Sequence, residues 1–177
     1  MNKISRQFIN IFFRYLILII IAFPNFWIFY FVFTPLTVYP VYFLLNIFFD
    51  ASLMENIILI KGFPIELIPA CIAGAAYYLL LILNLSTPKI KLKQRIQMIL
   101  FSFPFLLILN ILRIFFLSLV FLSGNSFFDF AHRLFWYLGS TAFVVGIWFI
   151  EVKIFKIKEI PIYSDIKFLY RKSFLRK

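Results

Sequence analysis

Long apolar runs with almost no charge dominate this sequence and leave the chain few ways to fold. Four stretches, roughly Ile11 to Phe33, Ile65 to Leu85, Met98 to Leu122 and Ala131 to Ile150, are close to or longer than the ~20 residues a helix needs to cross a hydrocarbon core. With 64% of its 177 residues hydrophobic and 14% charged, the chain could not hide such runs behind a water-facing surface. An ordinary globular domain is about half apolar and about one quarter charged. Lipid offers no hydrogen bonds, so backbone groups must be satisfied within each spanning segment, and that selects helices. The expectation is an all-α integral membrane protein, a compact multi-pass helical bundle forming one domain over residues 1–177.

A fifth apolar stretch, Leu36 to Phe49, is shorter and has Pro35 and Pro40 at its start. Its length suits an interfacial or re-entrant piece better than a full crossing. The basic residues arbitrate. Lys3, Arg6 and Arg14 flank the first run, Lys89, Lys91, Lys93 and Arg95 fill the loop "STPKIKLKQR", and Lys153, Lys156 and Lys158 open a tail ending "YRKSFLRK". Placing all three groups in the cytoplasm satisfies the positive-inside rule with four crossings, plus a basic cytoplasmic tail at about 151–177. A fifth crossing would break that pattern, so Leu36 to Phe49 is expected at the outer leaflet.

The region 50–64, "DASLMENIILIKGFP", is then extracytoplasmic, and its "NIILIKGF" reads as a short strand or hairpin arm against the membrane. The basic start and apolar run at the N-terminus lack a small-x-small cleavage pattern, so an uncleaved helix is expected. Pro24 and Pro104 fall inside spanning runs, where each removes an N–H from the helix ladder.

Several function classes drop out. The net charge of +11 sits in short flanks between apolar runs and forms no basic face interleaved with aromatics. Topology signals and anionic headgroups account for it better than nucleic acid does. One cysteine permits no internal disulfide. No metal-ligand spacing and no Gly-rich phosphate loop is visible, so neither metal nor cofactor is expected.

Topology assigns each unusual polar residue a depth. Cys71 lies six residues past Ile65 and Arg113 nine before Leu122, about 9 Å and about 13 Å below the outer boundary. His132 opens the last run near the surface. Three helices thereby bring a thiol, a guanidinium and an imidazole to the outer half of the membrane. An arginine in mid-span is costly and tends to face a protein interior or wet cavity. Asn110, three residues earlier, shares its face and is placed to orient Arg113 or to donate to a substrate. His132 is the only histidine, and the only side chain whose ordinary pKa suits general-base work near neutrality.

Each residue has a plainer reading as well. Arg113 could pair structurally with Glu66, Asp129 or a carbonyl. His132 could be a packed interfacial ring, and Cys71 a small buried hydrophobe. Gly74 and its alanine neighbours permit close helix packing, and Tyr77 and Tyr78 fit packing or cavity-lining positions. Glu66 and Asp129, at the outer boundary, are supporting candidates able to hydrogen-bond His132 or Arg133, or simply solvated.

The sequence "ACIAG" around Cys71, then "LNILRI" at Leu109 to Ile114, then "AHRLFWYLG" at Ala131 to Gly139, resembles the archaeosortase/exosortase family of multi-pass membrane enzymes. The similarity extends over about Asn56 to Trp148, and the short chain is most similar to small archaeal members. Many exosortases have Cys-Ser-Gly where this chain has "CIAG". The resemblance implies a cysteine transpeptidase or protease acting on C-terminal sorting signals of surface proteins, with Cys71, Arg113 and His132 as catalytic residues and Asn110 supporting Arg113. It implies secreted or surface protein substrates, a membrane lipid as acceptor, and a site on the extracytoplasmic side of the cell membrane. Two alternatives stay open on the residues: a non-enzymatic structural membrane subunit, and a small transporter component using Arg113 and Asn110 in a wet path.

Overall fold

The computed structural model describes residues 3–23, 25–124 and 126–172; Pro24 and residues 173–177 of the basic tail lie outside them. Helices α1 (Lys3–Ala22) and α2 (Trp27–Phe48) come first. Strands β1 (Ala51–Met54), β2 (Ile57–Ile60) and β3 (Phe63–Glu66) follow, then α3 (Pro69–Ile72), α4 (Gly74–Ser86) and α5 (Leu92–Leu122). The rest comprises α6 (Phe128–Leu134), a π-helical turn (Phe135–Gly139), α7 (Ser140–Ile154) and α8 (Tyr163–Lys172).

Three helical stretches are long and apolar enough to cross a membrane: Trp27–Phe48, Pro69–Ser86 and Leu92–Leu122. This redraws the expected N-terminal half. Ile11 to Phe33 is not one helix, because Asn25 and Phe26 take left-handed φ values of 52° and 59° and separate α1 from α2. Leu36 to Phe49 is not a separate interfacial piece but falls in the second half of α2, which runs on through Pro35 and Pro40. Helix α2 packs along α5 and α4, and such neighbours let a membrane helix tolerate proline. Helix α5 likewise passes Pro104 as one 31-residue element. The last apolar run is three abutting pieces over 128–154, and α7 extends inward far enough to bury Glu151 fully.

The chain is mostly helical, but it is not all-α. The stretch 51–66 forms an antiparallel meander in the order β1-β2-β3, with Ala51 opposite Ile60 and Ile57 opposite Glu66. Both turns are two residues long. Glu55 (φ 54°) opens the first, and Lys61 and Gly62 (φ 50° and 85°) make the second, matching the right-handed strand twist that favours such turns. Ile58 and Ile60 bury their side chains completely and fix which face of the sheet meets the bundle.

Aromatic stacking fills the centre. Tyr77 of α4 lies against Phe33 (3.7 Å between centroids), Phe29 and Phe103, tying α2, α4 and α5 together. Gly74 permits this approach of α2, since a Cβ there would come within 2.8 Å of the Tyr30 ring. At the far end of α4, two arginines take over its last carbonyls. Arg95 donates to Asn84, Leu85 and Thr87 oxygens, and Arg14 to Leu85 at 3.0 Å, which suits cations at a helix C-terminus. Arg14 also grips both carboxylate oxygens of Asp165 at 2.9 Å, docking α8 on α1.

With side chains only 14% and 4% exposed, this pair is sheltered from solvent, and removing one partner strands the other. Asp165→Asn is expected to lower stability by about 3 kcal/mol and to make the segment before α8 more protease-sensitive. Denaturation and limited proteolysis in detergent check this, and wild-type behaviour in both would contradict it.

Candidate functional site

A narrow cleft of about 20 Å³, room for a single water, lies where α3, α5 and α6 meet. Cys71, Arg113 and His132 all line it, together with Ile68, Leu117 and Phe135. Three residues separated by up to 61 positions are thereby brought to one place.

The cysteine segment is shaped by a break. Ile68 is extended and Pro69 opens a single helical turn, in which the Cys71 N–H donates to the Ile68 carbonyl at 2.8 Å. Proline is at home there, since a first-turn N–H has no ladder partner to lose. Ala73 then adopts a left-handed conformation, φ 62°, before α4 begins. For a residue with a Cβ this costs about 1–2 kcal/mol. The expected continuous helix from Ile65 to Leu85 is therefore divided, and residues 65 and 66 belong to β3.

Because the ladder is interrupted at Ala73, the Cys71 carbonyl finds its donors on α5. Asn110 Nδ2 donates to it at 2.8 Å and Arg113 Nη2 at 3.3 Å. Their spacing of three residues puts both on one face of α5. Arg113 Nη1 donates to Ser140 Oγ at 2.9 Å, while the buried Nε has no partner among the described residues. Asn110 thus holds the cysteine backbone rather than orienting Arg113 directly.

His132 is half-buried on α6, its ring stacked on Phe128 with centroids 5.5 Å apart and planes 9° from parallel. Ser140 lies eight residues on, about 80° away from His132 around an α-helix. The intervening π-helical turn holds more residues per turn and carries Ser140 back toward the same side. Gly139 closes that turn; a Cβ there would come within 2.8 Å of Phe135 Cδ1, so its absence leaves the Phe135 ring free to wall the cleft.

Glu66 and Asp129 stay outside this group. Both are exposed, Glu66 at the end of β3 and Asp129 in the first turn of α6, and neither lines the cleft. Among the described residues, no three His, Cys, Asp or Glu side chains gather closely enough to hold a metal ion. Ser140, Leu117 and Phe135 had no signal in the sequence read with an α-helical period; the Gly139–Ser140 pair within an apolar run is the one trace of the altered turn. Compared with known proteins, the chain matches no family model, no curated protein and no solved structure.

Asn110→Leu keeps the shape of the side chain and deletes its N–H donor to the Cys71 carbonyl. A loss of about 1–3 kcal/mol is expected, together with faster alkylation of Cys71 as its segment loosens. Thermal unfolding and thiol labelling of the purified protein read both effects; an unchanged variant would contradict the clamp.

Proposed function

We propose that the protein is a membrane cysteine transpeptidase or protease that cleaves C-terminal tails of surface proteins at the extracytoplasmic face. The observation that carries this reading is the convergence of Cys71, Arg113 and His132, three residues of complementary chemistry from three elements, on one cleft. The similarity of "ACIAG", "LNILRI" and "AHRLFWYLG" to archaeosortase and exosortase motifs supplies the reaction class. Four crossings, by α2, α3 with α4, α5, and the pieces of 128–154, put the lysine-rich loop and α8 in the cytoplasm and the cleft outside.

In this mechanism Cys71 Sγ attacks the scissile carbonyl while His132 accepts the thiol proton. The C–N bond breaks, the leaving amine takes that proton from His132, and the acyl group remains on sulfur as a thioester. A nucleophilic group of a membrane lipid, or water, then attacks the thioester, and the proton it loses returns through His132 to the Cys71 sulfur. Arg113, already anchored through Cys71 and Ser140, has unused N–H groups to stabilise the oxyanion in both steps. A small cleft keeps bulk water away from the thiol and from the thioester formed on it.

The same two Arg113 bonds also favour a second reading, in which Arg113 only braces the break at Ala73 and Cys71 is inert. Processing of a tail-bearing surface protein in cells separates the two. Cys71→Ala is expected to leave the precursor uncut, and His132→Ala to slow cutting by about 10²-fold or more. Arg113→Lys is expected to slow it by about 10²-fold. Undiminished processing by Cys71→Ala would overturn the peptidase reading and leave the structural one.

A further inference from the structure

The bundle's other end carries a second and much larger feature. A cavity of about 860 Å³ opens where α4 ends, between α1, the start of α5 and α8. Its wall is two-sided in chemistry. Six basic side chains, Arg14, Lys89, Arg95, Lys158, Lys167 and Arg171, face only two acidic ones, Glu159 and Asp165. Apolar groups such as Phe13, Ile17 and Phe168 make up much of the rest.

The basic residues divide by what they already hold. Arg14 is bound to Asp165, Lys89 to Glu159, and Arg95 to the carbonyls that end α4. Lys158, Lys167 and Arg171 are exposed and form no ion pair among the described residues, Lys167 resting over the Tyr163 ring at 5.7 Å from its centroid. Both acids are therefore committed to other cations, and the uncompensated charge is positive. A single phosphate would answer that charge but leave the apolar wall facing water. An amphiphile with an anionic phosphate headgroup and hydrocarbon chains answers both, and basic pockets beside membrane helices bind such lipids.

We propose that this cavity is a binding site for an anionic phospholipid, its phosphate held by Lys158, Lys167 and Arg171 and its chains laid along α1 and the start of α5. The occupant would bridge α8 to α1 beside the Arg14–Asp165 pair, so its binding stabilises the docked tail helix. The site is separate from the Cys71 cleft and independent of any activity there.

The full-length protein, purified in detergent, is titrated with phosphatidylglycerol, with phosphatidylcholine, and with inorganic phosphate, reading thermal stability and lipid retained after washing. Phosphatidylglycerol is expected to raise stability and be retained at least about tenfold better than phosphatidylcholine, with no stabilisation by phosphate alone. Replacing Lys158, Lys167 and Arg171 together by Gln should abolish that preference. Replacing Lys91, Lys93 and Lys153, three exposed basic residues outside the cavity, by Gln should leave it intact. Equal response to both lipids, equal loss in both triple variants, or full stabilisation by inorganic phosphate would each overturn the lipid site.

Discussion

The carbonyl of Cys71 is the point on which the sheet-bearing end of the bundle depends. Hydrocarbon cannot satisfy a backbone group, so a helix interrupted within a span must hand its freed carbonyl to a side chain. Ala73 makes that interruption, and Asn110 and Arg113 meet it from the neighbouring helix. One contact therefore explains why α5 carries an amide and a guanidinium in mid-span. It also sets where the thiol stands, because the backbone that α5 holds is the cysteine's own. Through Ser140 the same guanidinium reaches the chain segment that bears His132.

The opposite end of the bundle solves the same problem with different parts. There α4 runs out of residues, and its last carbonyls pass to Arg95 and Arg14. Arg14 in turn fixes Asp165, so the end of a spanning helix, the N-terminal helix and the tail helix are joined through one charged group. Arginine suits both ends for one reason: its planar fork of donors reaches more than one acceptor at once, a carbonyl and a hydroxyl for Arg113 and three carbonyls for Arg95. Positive charge at this end thus has a structural part, spent on carbonyls and Asp165, and a surplus on Lys158, Lys167 and Arg171 left for something else.

What could be read from the sequence follows from which signals lipid makes conspicuous. Arg113 and Asn110 stood out because polar groups in a span are rare, and Cys71 and His132 because each is the only one of its kind. Charge flanks brought all of them to one depth, and the structure places Cys71, Arg113 and His132 around one cleft. Glu66 and Asp129 are exposed and are not among the residues that line it. The boundary between α1 and α2 was misplaced because segment length and the count of basic flanks set Leu36 to Phe49 apart, whereas the chain breaks at Asn25 and Phe26 just after Pro24, a kink signal in the sequence whose following asparagine readily turns left-handed. The small sheet was visible only as a strand arm, because its third strand, with Pro64 and Glu66, lacks alternation. Ser140 was hidden by the π-helical turn, which changes the period on which any helical reading relies.

The central claim is that Cys71 is an outward-facing thiol made reactive by its neighbours rather than a packed hydrophobe. Because it is the only cysteine, labelling of intact cells with a membrane-impermeant maleimide reports on it alone. The account predicts labelling from outside, faster at neutral pH than a free-thiol model compound, and slowed in His132→Ala. A thiol that stays unlabelled until the membrane is dissolved, or whose rate ignores His132, would contradict it.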